Sequence, residues 1–186
     1  MTAGIAELLT ERLILRRWRA EDHEPFVLMN SDPEVMEYYP ARLSRAETGA
    51  SIGGIEEHFS QHGFGLWATE LRDSGEFLGY IGLAVPRFEA HFTPCVEIGW
   101  RLRRDHWGKG LATEGARVAA RFGFEEIGLD EIVSFTVPAN VRSRRVMEKL
   151  GMAHDPADDF DHPLLDEGHP MRRHVLYRLK NPVSRT

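Results

Sequence analysis

A single cysteine, Cys95, stands in the 186 residues, so no disulfide can close within the chain and no thiolate cluster can hold zinc. No apolar run approaches the roughly 20 residues that a membrane-spanning helix needs. Met1 to Thr10 lacks the basic start and apolar core of a secretory signal. Both absences lead us to expect a cytoplasmic protein that does not engage membranes. Positive charge is not in excess either, with 23 Lys and Arg against 29 Asp and Glu and a net charge of −6, which argues against a nucleic-acid partner. Internal repeats and low-complexity tracts are missing. The length predicts one domain over residues 1–186, long enough to bury its own core.

What is present centres on Trp107-Gly108-Lys109-Gly110-Leu111-Ala112-Thr113-Glu114-Gly115. The apolar run Val96 to Leu102 before it reads as a strand, and Ala112 to Phe124 after it repeats apolar residues at helical spacing. A strand-to-helix turn with two glycines brings unpaired amides close to a ligand at a helix start, where the helix dipole also favours an anion. A phosphate fits there. The dinucleotide fingerprint would need Gly or Ala where Thr113 stands, and the ATP-type phosphate loop would need a Gly-Lys-Ser/Thr ending that never occurs.

The remaining elements follow from pattern. Leu13, Leu15 and Trp18 alternate with arginines as an opening strand. A short helix is expected from Asp22 to Met29, and another at Ser31-Asp32-Pro33-Glu34, stopped by Tyr38-Tyr39-Pro40. Ser44 and Glu47 form a capping box that opens a helix from about Arg45 to Gln61, loosened by Gly49, Gly53 and Gly54. Phe64 to Leu71 and Phe77 to Val85 form a hairpin around Asp73-Ser74-Gly75. Pro86 to Thr93 is a loop and Pro94 to Arg103 a strand. The turn's helix runs to Ile127, ended by Gly128. Then come a strand from Glu131 to Val137, a helix from Asn140 to Gly151, a polar loop from Asp155 to Gly168, a strand from Met171 to Leu179 and a frayed tail from Lys180 to Thr186. Strands that first meander and then alternate with helices predict an α/β fold.

Asn140-Val141-Arg142-Ser143-Arg144-Arg145-Val146-Met147-Glu148-Lys149-Leu150-Gly151-Met152 lies about thirty residues after the glycine turn, and the two stretches together resemble the GNAT superfamily of acetyl-CoA-dependent N-acetyltransferases. Within it, the likeness is greatest to the RimJ/RimL-like branch of ribosomal-protein N-terminal-amine acetyltransferases. Thr10 to Arg16, Glu97-Ile98-Gly99-Trp100 and Val175 to Arg178 extend the resemblance along nearly the whole chain. It implies a mixed, mostly antiparallel twisted sheet of about seven strands with helices on both faces. It also implies acetyl-CoA as co-substrate, no metal, a primary amine as acceptor (a peptide N-terminus or a small molecule), and direct transfer in a ternary complex. Dimers are common among members. The glycine-loosened helix after Ser44 would form one wall of the acceptor site.

By the same resemblance, the amides of Gly108, Lys109, Gly110, Leu111, Ala112 and Thr113 would hold the CoA diphosphate. The backbone of Trp100, Arg101 and Leu102 would pair with the pantetheine arm. The usual Arg or Gln at the first motif position is Trp107 here, and the Tyr that often serves as acid is Met147, so Ser143 is cast as the group that meets the CoA sulfur. A CoA thiol near ~8.5 is already a good leaving group, so one hydrogen bond suffices. An alkyl ammonium near ~10, or an N-terminal amine near ~8, must shed a proton before attack. Glu97, just before the turn, is the candidate base, directly or through water, against the alternative of a surface carboxylate paired with Arg101 or His106. Asn140 and Ser143 share a face of the first helical turn, where Asn140 is also a natural N-cap. Of Arg142, Arg144 and Arg145, at least two read as a solvated face, with Arg145 kept for a CoA phosphate.

Several further residues carry alternatives. Tyr38, Tyr39, Phe64, Trp67 and Trp100 are either acceptor-pocket walls or core. His58 and His62 lack the Glu of the zinc-protease motif. Asp155, Asp158, Asp159, Asp161 and His162 read as a solvated acidic loop or an attractor for a cationic amine. Cys95 reads as core. A non-catalytic CoA-binding sensor or scaffold, a transferase of another acyl-CoA and a different nucleotide-phosphate binder stay open.

Overall fold

The computed structural model describes residues 7–182; residues 1–6, within the stretch read for a signal, and residues 183–186 of the expected tail lie outside it. The strands are β1 (Leu8–Leu9), β2 (Leu13–Arg16), β3 (Leu66–Leu71), β4 (Phe77–Ala84), β5 (Glu97–Leu102), β6 (Glu131–Thr136), β7 (Ala153–His154), β8 (Phe160–Asp161) and β9 (Arg173–Lys180). The helices are α1 (His23–Ser31), α2 (Arg45–His62), α3 (Leu111–Glu125) and α4 (Val141–Lys149). The sheet runs β1-β2-β3-β4-β5-β6-β9-β7, with β8 on β9. Every pair is antiparallel except β5 with β6. This is the mixed, mostly antiparallel α/β fold, with nine strands where the family resemblance implies about seven and six are read from pattern. The surplus comes from β1, β7 and β8, each two residues long and too short to show an alternation.

Two expectations fail at the ends of elements. Residues 33–38 make hydrogen-bonded turns rather than a helix. The Asp32 carboxylate caps the amides of Glu34 and Val35 at 2.8 and 3.4 Å, but Pro40 follows too soon for a second turn. At the other end, Lys180 closes β9 and Asn181 donates its amide to Asp130 O at 2.8 Å, so the ordered chain extends into the expected tail. The capping box of α2 forms as its sequence predicts, and Gly63 closes the helix in the left-handed region.

The sheet has a distinct core on each face. Leu13, Leu15, Trp67, Ile81, Leu83, Ile98 and Ile132 pack beneath α3. The approach is close enough that a Cβ at Gly115 of α3 would lie 2.4 Å from Ile81 Cδ1. On the other face, Phe26, Met29, Ala68 and Phe77 gather under α1, while Phe92, Val133, Phe160 and Leu176 gather at the β6–β9 end. Buried Arg16 positions α1: it grips Asp22 through two bonds of 2.7 and 2.9 Å and meets Glu70 Oε2 with Nε at 2.7 Å and Nη2 at 2.6 Å.

Candidate functional site

The parallel pair β5–β6 is where the sheet opens. Its ladder is the single register pair Glu97 with Val133, supported by the Val133 amide on Val96 O at 2.9 Å and the Ser134 hydroxyl on Ile98 O at 2.9 Å. On its other side β5 pairs with β4 along all of residues 97–102. Beyond Ile98, therefore, the β6-facing backbone groups of β5 have no strand partner among the described residues. Main-chain donors and acceptors line a cleft that an extended ligand could enter as a strand enters a sheet.

That cleft leads to the glycine turn. Gly108 and Gly110 sit at φ +75° and +79°, a backbone region that other L residues avoid. Gly110 caps α3, and its carbonyl takes the first helical bond, from the Glu114 amide at 3.0 Å. Among the described residues, no acceptor meets the amides of residues 108–113. They form a row of donors at the positive end of a 15-residue helix, the electrostatic setting of a phosphate site.

α4 begins beside this turn. The Arg142 guanidinium lies 4.4 Å over the Trp107 ring, and Trp107 donates its indole N–H to Leu102 O at 2.8 Å. The end of β5, the turn and the start of α4 therefore meet through one aromatic ring. Trp107, where the family usually has Arg or Gln, acts here as a packing post. Asn140 is the N-cap: its Oδ1 accepts from the Ser143 amide at 3.1 Å, and its Nδ2 donates to Thr136 Oγ1 at 3.1 Å. Both ends of its amide are bonded within the protein, as the N-cap role expected of Asn140 requires. The Ser143 hydroxyl has no partner among the described residues.

The three arginines of α4 part company. Arg142 also bonds Glu37 at 2.8 Å, and Arg144 bonds Tyr177 Oη and Pro138 O, each at 3.2 Å. Arg145 is exposed without an ion partner among the described residues, so its guanidinium is free to meet an anion. Met147, at the position where the family often has Tyr, is fully buried.

Glu97 pairs with neither Arg101 nor His106, the alternative the sequence left open. Arg101 instead donates to Asn30 Oδ1 at 2.7 Å, and His106 lies 3.5 Å from Glu76. The reason is strand geometry: residues four apart on β5 share a face but stand about 13 Å apart. Glu97 has no hydrogen-bond or ion partner among the described residues. It is half-buried, and burial pushes its carboxyl up to about 8. A carboxyl group poised near neutrality beside a cleft has the acidity of a general base.

Glu97, Gly99 and Arg101 point to the face opposite α3, while Ile98, Trp100 and Leu102 pack toward it. A Cβ on Gly99 would meet nothing within 4 Å, so the floor between Glu97 and Arg101 is open. Tyr39 and Tyr80 flank Arg101 at 3.9 and 5.3 Å. Among the aromatics expected to line an acceptor pocket, Tyr39 stands in this trough, Tyr38 lies 5.9 Å from Arg142, and Phe64, Trp67 and Trp100 belong to the α3 core. Tyr80 is a wall the sequence did not single out. Its place opposite Arg101 becomes visible only with the β4–β5 register.

The remaining candidates resolve as structure. His58 uses both ring nitrogens, Nδ1 against Phe64 O and Nε2 accepting from the Val85 amide, each at 2.9 Å. Cys95 is half-buried, with its thiol pushed up to about 11 by burial, and so is a poor nucleophile. The acidic loop is tied down: Asp155 caps Ala157, Asp158 bonds Arg178, Asp159 bonds His154 and Asp161 approaches Arg173. These four carboxylates are each held by a neighbouring group.

Sequence reasoning also passed over the brace of the turn. Glu114 accepts from the Thr10 hydroxyl at 2.6 Å and from the Arg12 amide and Nε at 2.9 and 2.7 Å, while Arg12 Nη1 reaches Lys109 O at 3.0 Å. Burial works to raise the Glu114 carboxyl, but these donors outweigh it and hold the group below its usual value. Glu114→Gln should weaken acetyl-CoA binding about three- to tenfold, because the turn loses its charged anchor while helix and core remain. Calorimetric titration would show it.

The family description "Acetyltransferase (GNAT) domain" matches residues 12–153. A Bacillus subtilis protein of uncharacterised role, YkkB, is 34% identical over 147 residues, covering 78% of this chain and 84% of its own. The FsC-acetyl coenzyme A-N(2)-transacetylase of Aspergillus fumigatus is 36% identical over 158 residues, which are 79% of this chain and 65% of that protein. Among solved structures, the acetyltransferase from Agrobacterium tumefaciens superposes with a TM-score of 0.75 at 26% identity, covering 94% of each chain.

Proposed function

This chain belongs to the GNAT acetyltransferase family, an acetyl-CoA-dependent acyltransferase, and from that premise we propose that it acetylates a primary amine by direct transfer between two bound substrates. The observation that carries the reading is the row of amides at residues 108–113 that meet no acceptor among the described residues, at the open end of a cleft whose closed end is the Glu97–Val133 pair. The diphosphate of acetyl-CoA binds at the amides of Gly108, Lys109, Gly110, Leu111, Ala112 and Thr113, and Arg145 answers a further phosphate. The pantetheine arm lies along the backbone of Trp100, Arg101 and Leu102 as an added strand. Its thioester then reaches the Glu97 end.

The amine arrives mostly as an ammonium and gives one proton toward Glu97, directly or through water. The neutral nitrogen attacks the thioester carbonyl, the C–N bond forms, the C–S bond breaks, and CoA leaves as a thiolate that accepts a hydrogen bond from the Ser143 hydroxyl. Asn140 holds Ser143 in place by bonding its amide. In the RimJ/RimL-like branch the acceptor is a protein N-terminus. The relative from Aspergillus fumigatus carries the name of an acetyl-coenzyme A N(2)-transacetylase, which supports nitrogen as the accepting atom.

Incubating the protein with acetyl-CoA and a library of amines, while following thiol release, tests the reading. Turnover supports it, and CoA binding without turnover of any amine shows a sensor or scaffold instead. Ser143→Ala should lower kcat about tenfold and leave CoA affinity within twofold, as expected for loss of one hydrogen bond to a charge that develops only during transfer. A loss confined to CoA binding would contradict the role of Ser143.

A further inference from the structure

The trough opposite α3 contains a cation that no anion answers among the described residues. Arg101 meets only uncharged partners: Nη1 donates to Asn30 Oδ1 at 2.7 Å, the Tyr39 side chain accepts a further bond, and Asn30 is itself fixed by donating to Thr48 Oγ1 at 3.2 Å. The Arg101 Nε is buried and bonded to nothing among the described residues. No carboxylate lies within ion-pair distance of the guanidinium among those residues. The contrast is with Arg16, the fully buried arginine, which is met by Asp22 and Glu70. A guanidinium withdrawn from water without a carboxylate is unfavourable, and the faces of Tyr39 and Tyr80 offset only part of that. Arg101 nevertheless keeps part of its surface open.

The direction in which Arg101 points narrows what could complete it. Its neighbours Trp100 and Leu102 pack toward α3, whose start offers the phosphate site, so Arg101 faces away from the diphosphate. It shares its face with Glu97, about 13 Å away along the strand. Gly99 between them contributes no side chain and leaves open space. A ligand lying over Gly99 would thus have one end at a carboxyl group and the other at a fork of N–H donors, a geometry that suits a planar carboxylate.

We infer that Arg101 recognises a carboxylate on the acceptor, so that the amine acetylated here is an amino-acid-type molecule spanning Gly99, with its nitrogen at Glu97 and its carboxylate at Arg101. The inference rests on the acetyl-transfer reading above and names the acceptor class of that same site. Polyamines, which bring a second cation instead of an anion, are disfavoured by it.

The test is steady-state acetylation, followed by thiol release, of glycine, β-alanine, γ-aminobutyrate and ε-aminocaproate, each beside its carboxamide, with spermidine as a cationic comparator. At the chain length that spans the trough, the acid should exceed its amide in kcat/KM by about tenfold or more. Arg101→Gln should erase that preference, mostly through the KM of the acid, with the KM of acetyl-CoA, which would meet only the Arg101 backbone, moving less than that of the acid. Arg101→Lys, which keeps the charge but not the fork, should retain part of it. Equal turnover of acids and amides by the wild type, faster turnover of spermidine, or an Arg101→Gln enzyme that melts like the wild type and slows acid and amide alike would each overturn the inference and leave acetyl transfer standing. Acetyl-CoA that fails to bind, or binds with no amine turned over, would overturn both.

Discussion

Glu97→Gln is expected to lower kcat/KM by about a hundred- to ten-thousandfold, the range that a general base contributes, while leaving acetyl-CoA affinity and the fold intact. The fold should survive because Glu97 bonds no other side chain among the described residues and burial already favours its neutral form, which Gln imitates. The acid–base role has a pH signature. With the carboxyl at about 8, roughly a tenth is ionised at pH 7, so kcat/KM should rise with pH and lose its first limb above about 8. In Glu97→Gln that limb vanishes, and only the later limb remains, set by the neutral amine near ~10 for an alkyl acceptor.

Stability runs the other way. The folded carboxyl titrates above its value in the unfolded chain, so the native state holds the proton more tightly between about pH 4.5 and 8. The stabilisation this gives is complete below that window and is lost as pH rises through it. Activity should therefore grow with pH where this part of the stability declines, and Glu97→Gln should remove both trends. A variant that keeps the wild-type pH–rate profile would exclude Glu97 as the base.

Much of this could be read before any coordinates. The capping box at Ser44, the two glycines at 108 and 110 and the Asn140 cap are local devices whose residues specify their own geometry, and each appears where its sequence places it. Short strands such as β7 and β8 carry no such device; they exist because β9 offers them an edge. The expected helix after Asp32 failed because its cap is real but nothing downstream continues it. In the site, the geometry of the glycine turn was legible because it is contiguous. The trough was not, since Asn30, Tyr39, Tyr80 and Arg101 come together only through the β4–β5 register and the seating of α1. Whether Glu97 pairs with Arg101 stayed open for the same reason: the shared strand face was visible, but the spacing along it decides the outcome.

The glycine turn offers the second large effect, and its geometry separates conformation from bulk. A Cβ at Gly108 would meet nothing within 4 Å, and one at Gly110 only Arg12 Nη2 at 3.7 Å, so alanine fits both places sterically. What alanine resists is φ near +75° and +79°, at about 1–2 kcal/mol per residue. If the doubly substituted turn relaxes to ordinary dihedrals, the amides of residues 108–113 swing away from the phosphate position. Acetyl-CoA affinity should then fall about thirty- to a thousandfold, since ~1.4 kcal/mol is a factor of ten. If the turn is instead held by Arg12 and Glu114, the same strain should appear as a melting temperature lower by about 4–15 °C, with affinity preserved. The brace is exposed on the Arg12 side, which favours relaxation and loss of affinity. Asn at both positions, which tolerates the left-handed region, should restore most of the binding. Calorimetric titration of acetyl-CoA alongside thermal melts of the Ala and Asn pairs reads both outcomes. Wild-type affinity together with wild-type melting in the Ala pair would show that the ligand is held somewhere other than this turn.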